Sequence, residues 1–250
     1  AQTGTGKTAA FALPMLQNLI PDQRQVQGLV LTPTRELAMQ VASAVYEFGQ
    51  HRQARVLAVY GGQSYSRQIT RLKKGIDIVI GTPGRMLDLI RQKVLDLSAV
   101  HTVVLDEADE MLSMGFIEDI QAILDETPTR RQTALFSATM PSEIRRLASQ
   151  YLNDPFSVAI QREQMTVAGI EQRYYLVNAQ DKTAALTRLF EVEPITRALI
   201  FTRTRVSSGD LANELTTRGF AAEVLNGDLA QDARERVLNR FRQAQIKVLV

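Results

Sequence analysis

Ala1-Gln2-Thr3-Gly4-Thr5-Gly6-Lys7-Thr8 opens the chain and leads into an apolar stretch of helical character. The two glycines let the backbone turn tightly enough to aim its N–H groups inward around a phosphate. The start of a helix adds about half a positive charge at the same place. Lys7 is then placed to reach the β- and γ-phosphates of a nucleotide, and the Thr8 hydroxyl to hold Mg²⁺. Thr3, Gly4, Thr5, Gly6, Lys7 and Thr8 are therefore the expected phosphate cradle. One departure from the general P-loop pattern is Ala1, which stands where that pattern has its first glycine. Alone, the stretch also reads as an ordinary Gly-rich turn at a helix start.

A partner for such a cradle is an acid at the end of an apolar strand, and Val103-Val104-Leu105-Asp106-Glu107-Ala108-Asp109 supplies one. The β-branched and Leu residues predict a buried strand, so Asp106 falls at the carboxyl edge of the sheet, where ligands of open α/β sheets bind. Asp106 is the expected Mg²⁺ holder, and Glu107 the group that orients and deprotonates an attacking water. The alternative is a plain acidic helix start; a cradle in the same chain disfavours it.

Working outward, short apolar runs at 29–32, 56–60, 76–80, 100–106, 133–137 and 156–160 predict strands. Helical patterns at 34–48, 116–124 and 142–152, and one that starts after Pro83 and ends near Arg91, alternate with them. In 34–48, Leu37, Val41, Val45 and Phe48 form one stripe. This βαβα rhythm predicts parallel sheets flanked by helices. It lapses over the polar stretch 161–169, read as a linker, and restarts with strands at 173–177, 198–201, 222–225 and 247–250 and helices at 182–190, 206–218 and 232–241. The expected organisation is a domain over 1–160 and a smaller α/β domain over 170–250.

The 250 residues are 45% hydrophobic and 22% charged, ordinary globular material, and no apolar run approaches the length of a membrane span. Net charge is +2, too little to establish nucleic-acid binding. Of the 29 basic residues 23 are Arg and 6 are Lys, which suits bidentate phosphate contacts but also fits a genome rich in Arg codons. The lack of cysteine excludes disulfides and thiolate metal sites and fits a reducing cytoplasm. His51 and His101 read as ordinary loop or strand residues.

Asp106-Glu107-Ala108-Asp109 spells the signature of the DEAD-box helicases, and other blocks of that family stand in the same order. Pro33-Thr34-Arg35-Glu36-Leu37-Ala38 resembles its motif Ia, Gly61-Gly62 its glycine doublet, Thr82-Pro83-Gly84-Arg85 its motif Ib, and Ser137-Ala138-Thr139 its motif III. Leu199-Ile200-Phe201-Thr202-Arg203-Thr204 resembles motif IV, and Asn226-Gly227-Asp228 with Gln231 and Arg234 resembles the family's next segments. The likeness covers nearly the whole chain, and its wording is most similar to the bacterial cold-shock and ribosome-assembly branch.

The resemblance implies two RecA-like P-loop NTPase domains with parallel sheets, the second incomplete. It also implies ATP as nucleotide, Mg²⁺ as cofactor, and RNA bound along its backbone with little sequence specificity. Expected RNA contacts are Pro33, Thr34, Arg35, Gly61, Gly62, Thr82, Pro83, Gly84 and Arg85, with Arg203, Gln231 and Arg234 from the second domain. The residues agree: the first-domain blocks are turns at strand ends offering N–H groups, hydroxyls and Arg, which position a strand without reading it. Pro33-Thr34-Arg35-Glu36 also reads simply as a helix start, with Thr34 as N-cap. Asp109, Ser137 and Thr139 are the expected coupling group, Ser137 and Thr139 hydrogen-bonding toward Asp109.

No Met starts the chain, Ala1 already lies within a motif, and 247–250 reads as a strand barely begun. The expectation is a fragment lacking the adenine-reading Q motif and motifs V and VI. Motif VI carries the arginine fingers, each worth about 10³–10⁵ in rate. The 250 residues alone are thus expected to bind nucleotide weakly and to turn over almost none. Three rivals remain: another P-loop enzyme such as a kinase or GTPase, a DNA-directed helicase of the wider superfamily, and a nucleotide-dependent RNA clamp that does not unwind.

Overall fold

A computed structural model describes residues 6–159 and 170–250. The chain divides into two compact units, Ala1–Arg162 and Glu163–Val250. The expected linker at 161–169 and the phosphate-cradle residues Thr3, Gly4 and Thr5 lie outside the described residues.

The first unit holds five parallel strands: β1 (Gly28–Leu31), β2 (Val56–Val59), β3 (Ile78–Gly81), β4 (Thr102–Leu105) and β5 (Gln132–Leu135). Their order in the sheet is β2-β3-β1-β4-β5. Strands β1, β3 and β4 are buried along their whole length, which explains their unbroken apolar sequences. Alternation still sorts the side chains. Val30, Ile80 and Val104 pack with Phe11, Met15, Val41 and Val45 from α1 (Lys7–Gln17) and α2 (Arg35–Phe48). Leu29, Leu31, Val79 and Val103 pack on the other face. There they meet α4 (Pro83–Arg91), α5 (Ala108–Ser113), α6 (Ile117–Asp125) and α7 (Ser142–Tyr151), with the partly buried side chains of α3 (Tyr65–Lys73) against the same core. The unit is a three-layer sandwich.

The parallel layout aligns all five carboxyl ends on one edge. Chain direction across the sheet reverses between β1 and β4, the position at which open sheets leave a ligand crevice. Gly81 ends β3 beside Val59, and a Cβ there would overlap the Val59 carbonyl oxygen. Only glycine lets β2 and β3 close at that point.

The second unit contains α8 (Lys182–Val192), β6 (Ala198–Leu199), α9 (Arg205–Thr217), β7 (Ala222–Glu223), α10 (Gln231–Arg242) and β8 (Val248–Leu249). Its strands are parallel in the order β6-β8-β7. A small core joins Ala212 and Leu215 to Val248 and Val250.

Two expected strands are corrected. Residues 156–159 and 173–177 form no strand, and Phe156, Tyr174 and Leu176 are exposed at 92%, 86% and 92%. Ile160 lies outside the described residues. Both segments have strand-like composition, yet no neighbouring strand pairs with either among the described residues. Propensity without a partner does not make a sheet. Helices α3 and α5 go beyond the sequence expectation. In α3 the apolar spacing Tyr65, Ile69, Leu72 is present but sits among polar residues.

Candidate active site at the carboxyl edge

Half of the edge, from β1 to β5, gathers the candidate nucleotide groups. Gly6 has φ 81° and precedes α1, whose first residues are Lys7 and Thr8. Gly6, the residue before that helix, has no side chain with which to cap its first N–H groups. Asp106 follows β4 and is only 4% exposed. Its backbone N–H donates to the Leu31 carbonyl at 2.9 Å, and its Oδ1 accepts the Glu107 N–H at 3.1 Å. Burial raises the Asp106 pKa, and the Lys7 charge partly opposes that rise. Glu107 is raised as well, by burial and then by the Asp106 charge, with Lys7 again opposing. The structure thus brings Lys7 within electrostatic reach of both carboxylates.

Glu107 sits at φ 52°, ψ 51°, a left-handed conformation for a residue that carries a Cβ. It is the turn between strand and helix that demands this: Ala108 N–H must reach the Phe136 carbonyl at 3.0 Å while α5 begins. Such strain gathers where the surroundings over-determine the backbone, often at functional sites.

Asp109, in the first turn of α5, reaches the chain just past β5. Its carboxylate accepts the Thr139 N–H at 2.9 Å, the Thr139 hydroxyl at 2.8 Å and the Ala138 N–H at 3.4 Å. Its own N–H donates to Ser137 Oγ at 3.2 Å. Burial alone would raise the Asp109 pKa, but the bonds from Thr139, Ser137 and Ala138 together hold it below the ordinary value.

The donors fit a hard divalent cation. Asp106 is a buried carboxylate whose charge burial disfavours, and Thr8 offers a hydroxyl oxygen. Mg²⁺ typically keeps several waters and takes one or two protein oxygens together with phosphate. A two-donor site is therefore enough for it, and no cluster of three or more His, Cys, Asp or Glu occurs among the described residues.

The other half of the edge, from β2 to β1, carries the candidate nucleic-acid turns. Thr34 caps α2, its Oγ1 accepting the Leu37 N–H at 3.2 Å. Thr32 Oγ1 donates to the Thr34 carbonyl at 3.3 Å and steadies the same turn, with Pro33 between them. The Arg35 guanidinium lies beside Gly61, 3.4 Å from where a Cβ would stand, although β3 separates their strands. Gly62 takes φ 85°. Thr82 N–H donates to the Val59 carbonyl at 3.1 Å, and Pro83 opens α4. Gly84 has room for a Cβ, whose nearest neighbour would be Asp119 Oδ2 at 3.9 Å. Arg85 differs from its neighbours. It is buried, and its guanidinium binds Gln63 and Gln68 and stacks on Tyr65. Sequence reading missed those three partners, because nothing local marks a polar residue for burial.

In the second unit Arg203 is exposed in the turn after β6. Thr204 and Ser207 form a reciprocal cap on α9. Asn226 Nδ2 donates to Ser208 Oγ at 3.0 Å, and Asp228 pairs with Arg205 at 2.8 Å. Arg234 is half-buried on α10, whereas Gln231 is 6% exposed and donates to Glu235 Oε1 at 3.2 Å.

The family model of the DEAD/DEAH box helicases matches residues 1–147, more than half the chain. The chain belongs to that family. The helicase conserved C-terminal domain matches residues 181–250, so both units of this DEAD-box chain are accounted for. DEAD-box ATP-dependent RNA helicase CshA of Bacillus cereus is 49% identical over all 250 residues, which make up 48% of the relative. CshA of Geobacillus kaustophilus is 50% identical, with 54% of its length covered. The chain thus spans about half the length of the curated relatives it matches. Among solved structures, S. cerevisiae Dbp5 bound to RNA and ADP BeF3 matches the whole chain and 63% of its own, with TM-score 0.86 and 33% identity. A DEAD box protein from the hyperthermophile Methanococcus jannaschii matches with TM-score 0.60 and 40% identity, covering the whole chain and 67% of its own. The fold is that of these helicases, with two RecA-like α/β units, the second short here. No helix among the described residues is long and apolar enough to cross a membrane.

Proposed function

We propose that this chain carries the nucleotide and RNA edges of an ATP-dependent RNA helicase acting in the cytoplasm. One observation carries the reading. The carboxyl edge of one sheet is divided, with Lys7, Asp106, Glu107 and Asp109 on the β1-β4-β5 side and the Gly61, Thr82 and Thr34 turns on the β2-β3-β1 side. It stands in a chain about half identical to proteins named DEAD-box ATP-dependent RNA helicases.

In this reading Thr3, Gly4, Thr5 and Gly6 hold the phosphates of ATP by backbone N–H groups, and Lys7 binds the β- and γ-phosphates. Thr8 and Asp106 hold Mg²⁺, which when bound neutralises charge developing on the phosphate oxygens. Glu107 orients water and accepts its proton; its raised pKa brings it toward neutrality, where a general base works best. Pro33, Thr34, Arg35, Gly61, Gly62, Thr82, Pro83 and Gly84 hold RNA by its backbone, joined from the second unit by Arg203, Gln231 and Arg234. Asp109, Ser137 and Thr139 are the coupling group: a shift after β4 is felt after β5 through their bonds. Where that shift also moves the RNA turns, ATP and RNA affinities become reciprocal.

The test is ATP hydrolysis by the whole protein with and without single-stranded RNA and single-stranded DNA, followed by displacement of a short RNA duplex. RNA-specific stimulation with strand displacement is expected. Equal stimulation by DNA would favour a DNA-directed helicase, stimulation without displacement an RNA clamp, and no response to either a different P-loop ATPase.

A further inference from the structure

Arg85 sits at the start of α4, in the turn that would hold a phosphate, yet its side chain is turned into the protein. It is 9% exposed, and its Cζ lies 3.8 Å from the centre of the Tyr65 ring. Its Nη1 donates to the Gln63 carbonyl at 3.1 Å and to Gln68 Oε1 at 3.1 Å. Gln68, 2% exposed, hands the connection on: its Nε2 donates to the Tyr60 carbonyl at 3.0 Å. Gln63 Nε2 donates to the Tyr60 hydroxyl at 2.6 Å, and the Tyr65 hydroxyl donates to Asp88 Oδ2, back on α4, at 2.8 Å. These bonds circle the Gly61-Gly62 turn and tie it to the first turn of α4.

We infer that Arg85, with Gln68 and Tyr65, is a positioning group that fixes the Gly61-Gly62 turn against the Thr82–Gly84 turn, and that its guanidinium makes no phosphate contact. The inference rests on the RNA reading above and reassigns one residue within it. Swinging Arg85 out to a phosphate would leave the buried Gln68 Oε1 without its donor and break the stack on Tyr65, both unfavourable. Lysine cannot take its place, because a point charge does not bridge two acceptors while lying flat on a ring. What the network delivers is geometry. Gly62 needs φ 85° and the N–H groups at the head of α4 carry no side-chain cap, so both turns offer backbone donors whose spacing the network reinforces beyond the pairing of β2 with β3. Adjacent phosphates need that spacing fixed before they arrive.

The experiment measures RNA affinity of the whole protein against salt for Arg85→Gln, Gln68→Ala and, as a reference for a phosphate contact, Arg35→Gln. Should Gln68→Ala fail to fold, Gln68→Met keeps the volume. Expected for both Arg85→Gln and Gln68→Ala is a rise of about tenfold in the RNA KM with little change in kcat. The double variant should be no worse than the weaker single one, because both break one network. The slope of log affinity against log salt stays at the parent value in both, while Arg35→Gln lowers it by about 0.7. A slope lowered equally by Arg85→Gln, with Gln68→Ala at parent affinity, would make Arg85 a phosphate ligand and overturn the inference. Should the parent protein show no RNA response at all, the RNA reading fails and this assignment falls with it, an outcome recognisable before any variant is made.

Discussion

The two edges of the first sheet are built on opposite terms. At the amino edge, buried polar groups are partnered. Asp77, 5% exposed, accepts the Arg55 N–H at 2.8 Å and Nε at 2.9 Å and pairs with its Nη2, clamping the starts of β2 and β3. Gln27, fully buried before β1, exchanges bonds of 2.7 and 2.9 Å with both backbone groups of Ile20. At the carboxyl edge, Asp106 is as buried as Asp77 but its carboxylate is held by a neighbouring N–H and carries a raised pKa, and Glu107 beside it occupies a left-handed conformation. A sheet with one edge made for cohesion can leave the other under electrostatic tension. That tension is what a cation or a proton would relieve.

The contrast is broken most visibly at Lys7. Lys7→Ala should lower ATP hydrolysis of the whole protein by about 10²-fold or more, the scale for losing one preorganised charge on the reacting group. Thermal unfolding should barely move, and a large fall in Tm would show that this edge is structural after all. Asp77→Ala should do the reverse. Unfolding free energy should drop by about 2 kcal/mol, because the Arg55 side chain and N–H lose their shared acceptor. Nucleotide affinity should hold, as chemical denaturation beside a binding titration would show.

The smallest effect sharpens the contrast most. Asp106→Asn should raise stability, by on the order of 1 kcal/mol or less, while removing the carboxylate proposed for Mg²⁺. The sign has a pH signature. A carboxyl whose folded pKa is raised binds a proton more readily folded than unfolded, so its ionisation opposes folding. The penalty is complete above the folded pKa and absent below the unfolded one. The advantage of Asp106→Asn should therefore shrink as pH falls through that window. A gap that widens on acidification would contradict the burial argument.

Much of this edge is legible in the sequence because each strand end carries its own sign. Unbroken apolar runs mark β1, β3 and β4, and the Thr34 N-cap can be read from Thr34 and the helix after it. Even the approach of Ser137 and Thr139 to Asp109 can be anticipated, though only through the family resemblance. What stays hidden is whatever depends on a spatial neighbour. The strand order that divides the edge in two is such a case, and so are Gln68, buried in a polar helix, and Arg85, turned inward from a turn that looks solvent-facing. The segments at 156–159 and 173–177 fail in the opposite direction, with strand-like residues and no described strand beside them.

Gly81 carries a consequence for inheritance. Every codon one base from a glycine codon encodes glycine, a stop, or a residue with a Cβ, and a Cβ at this position collides with the Val59 carbonyl. Apart from synonymous codons, position 81 has no neighbouring allele that keeps β2 and β3 closed as they are. At Gly61 an added Cβ would meet only the flexible Arg35 side chain, and at Gly84 only the Asp119 carboxylate at van der Waals distance. Variation at those two glycines is filtered by what the turns bind, while at Gly81 it is filtered earlier, by whether β2 and β3 can close at all.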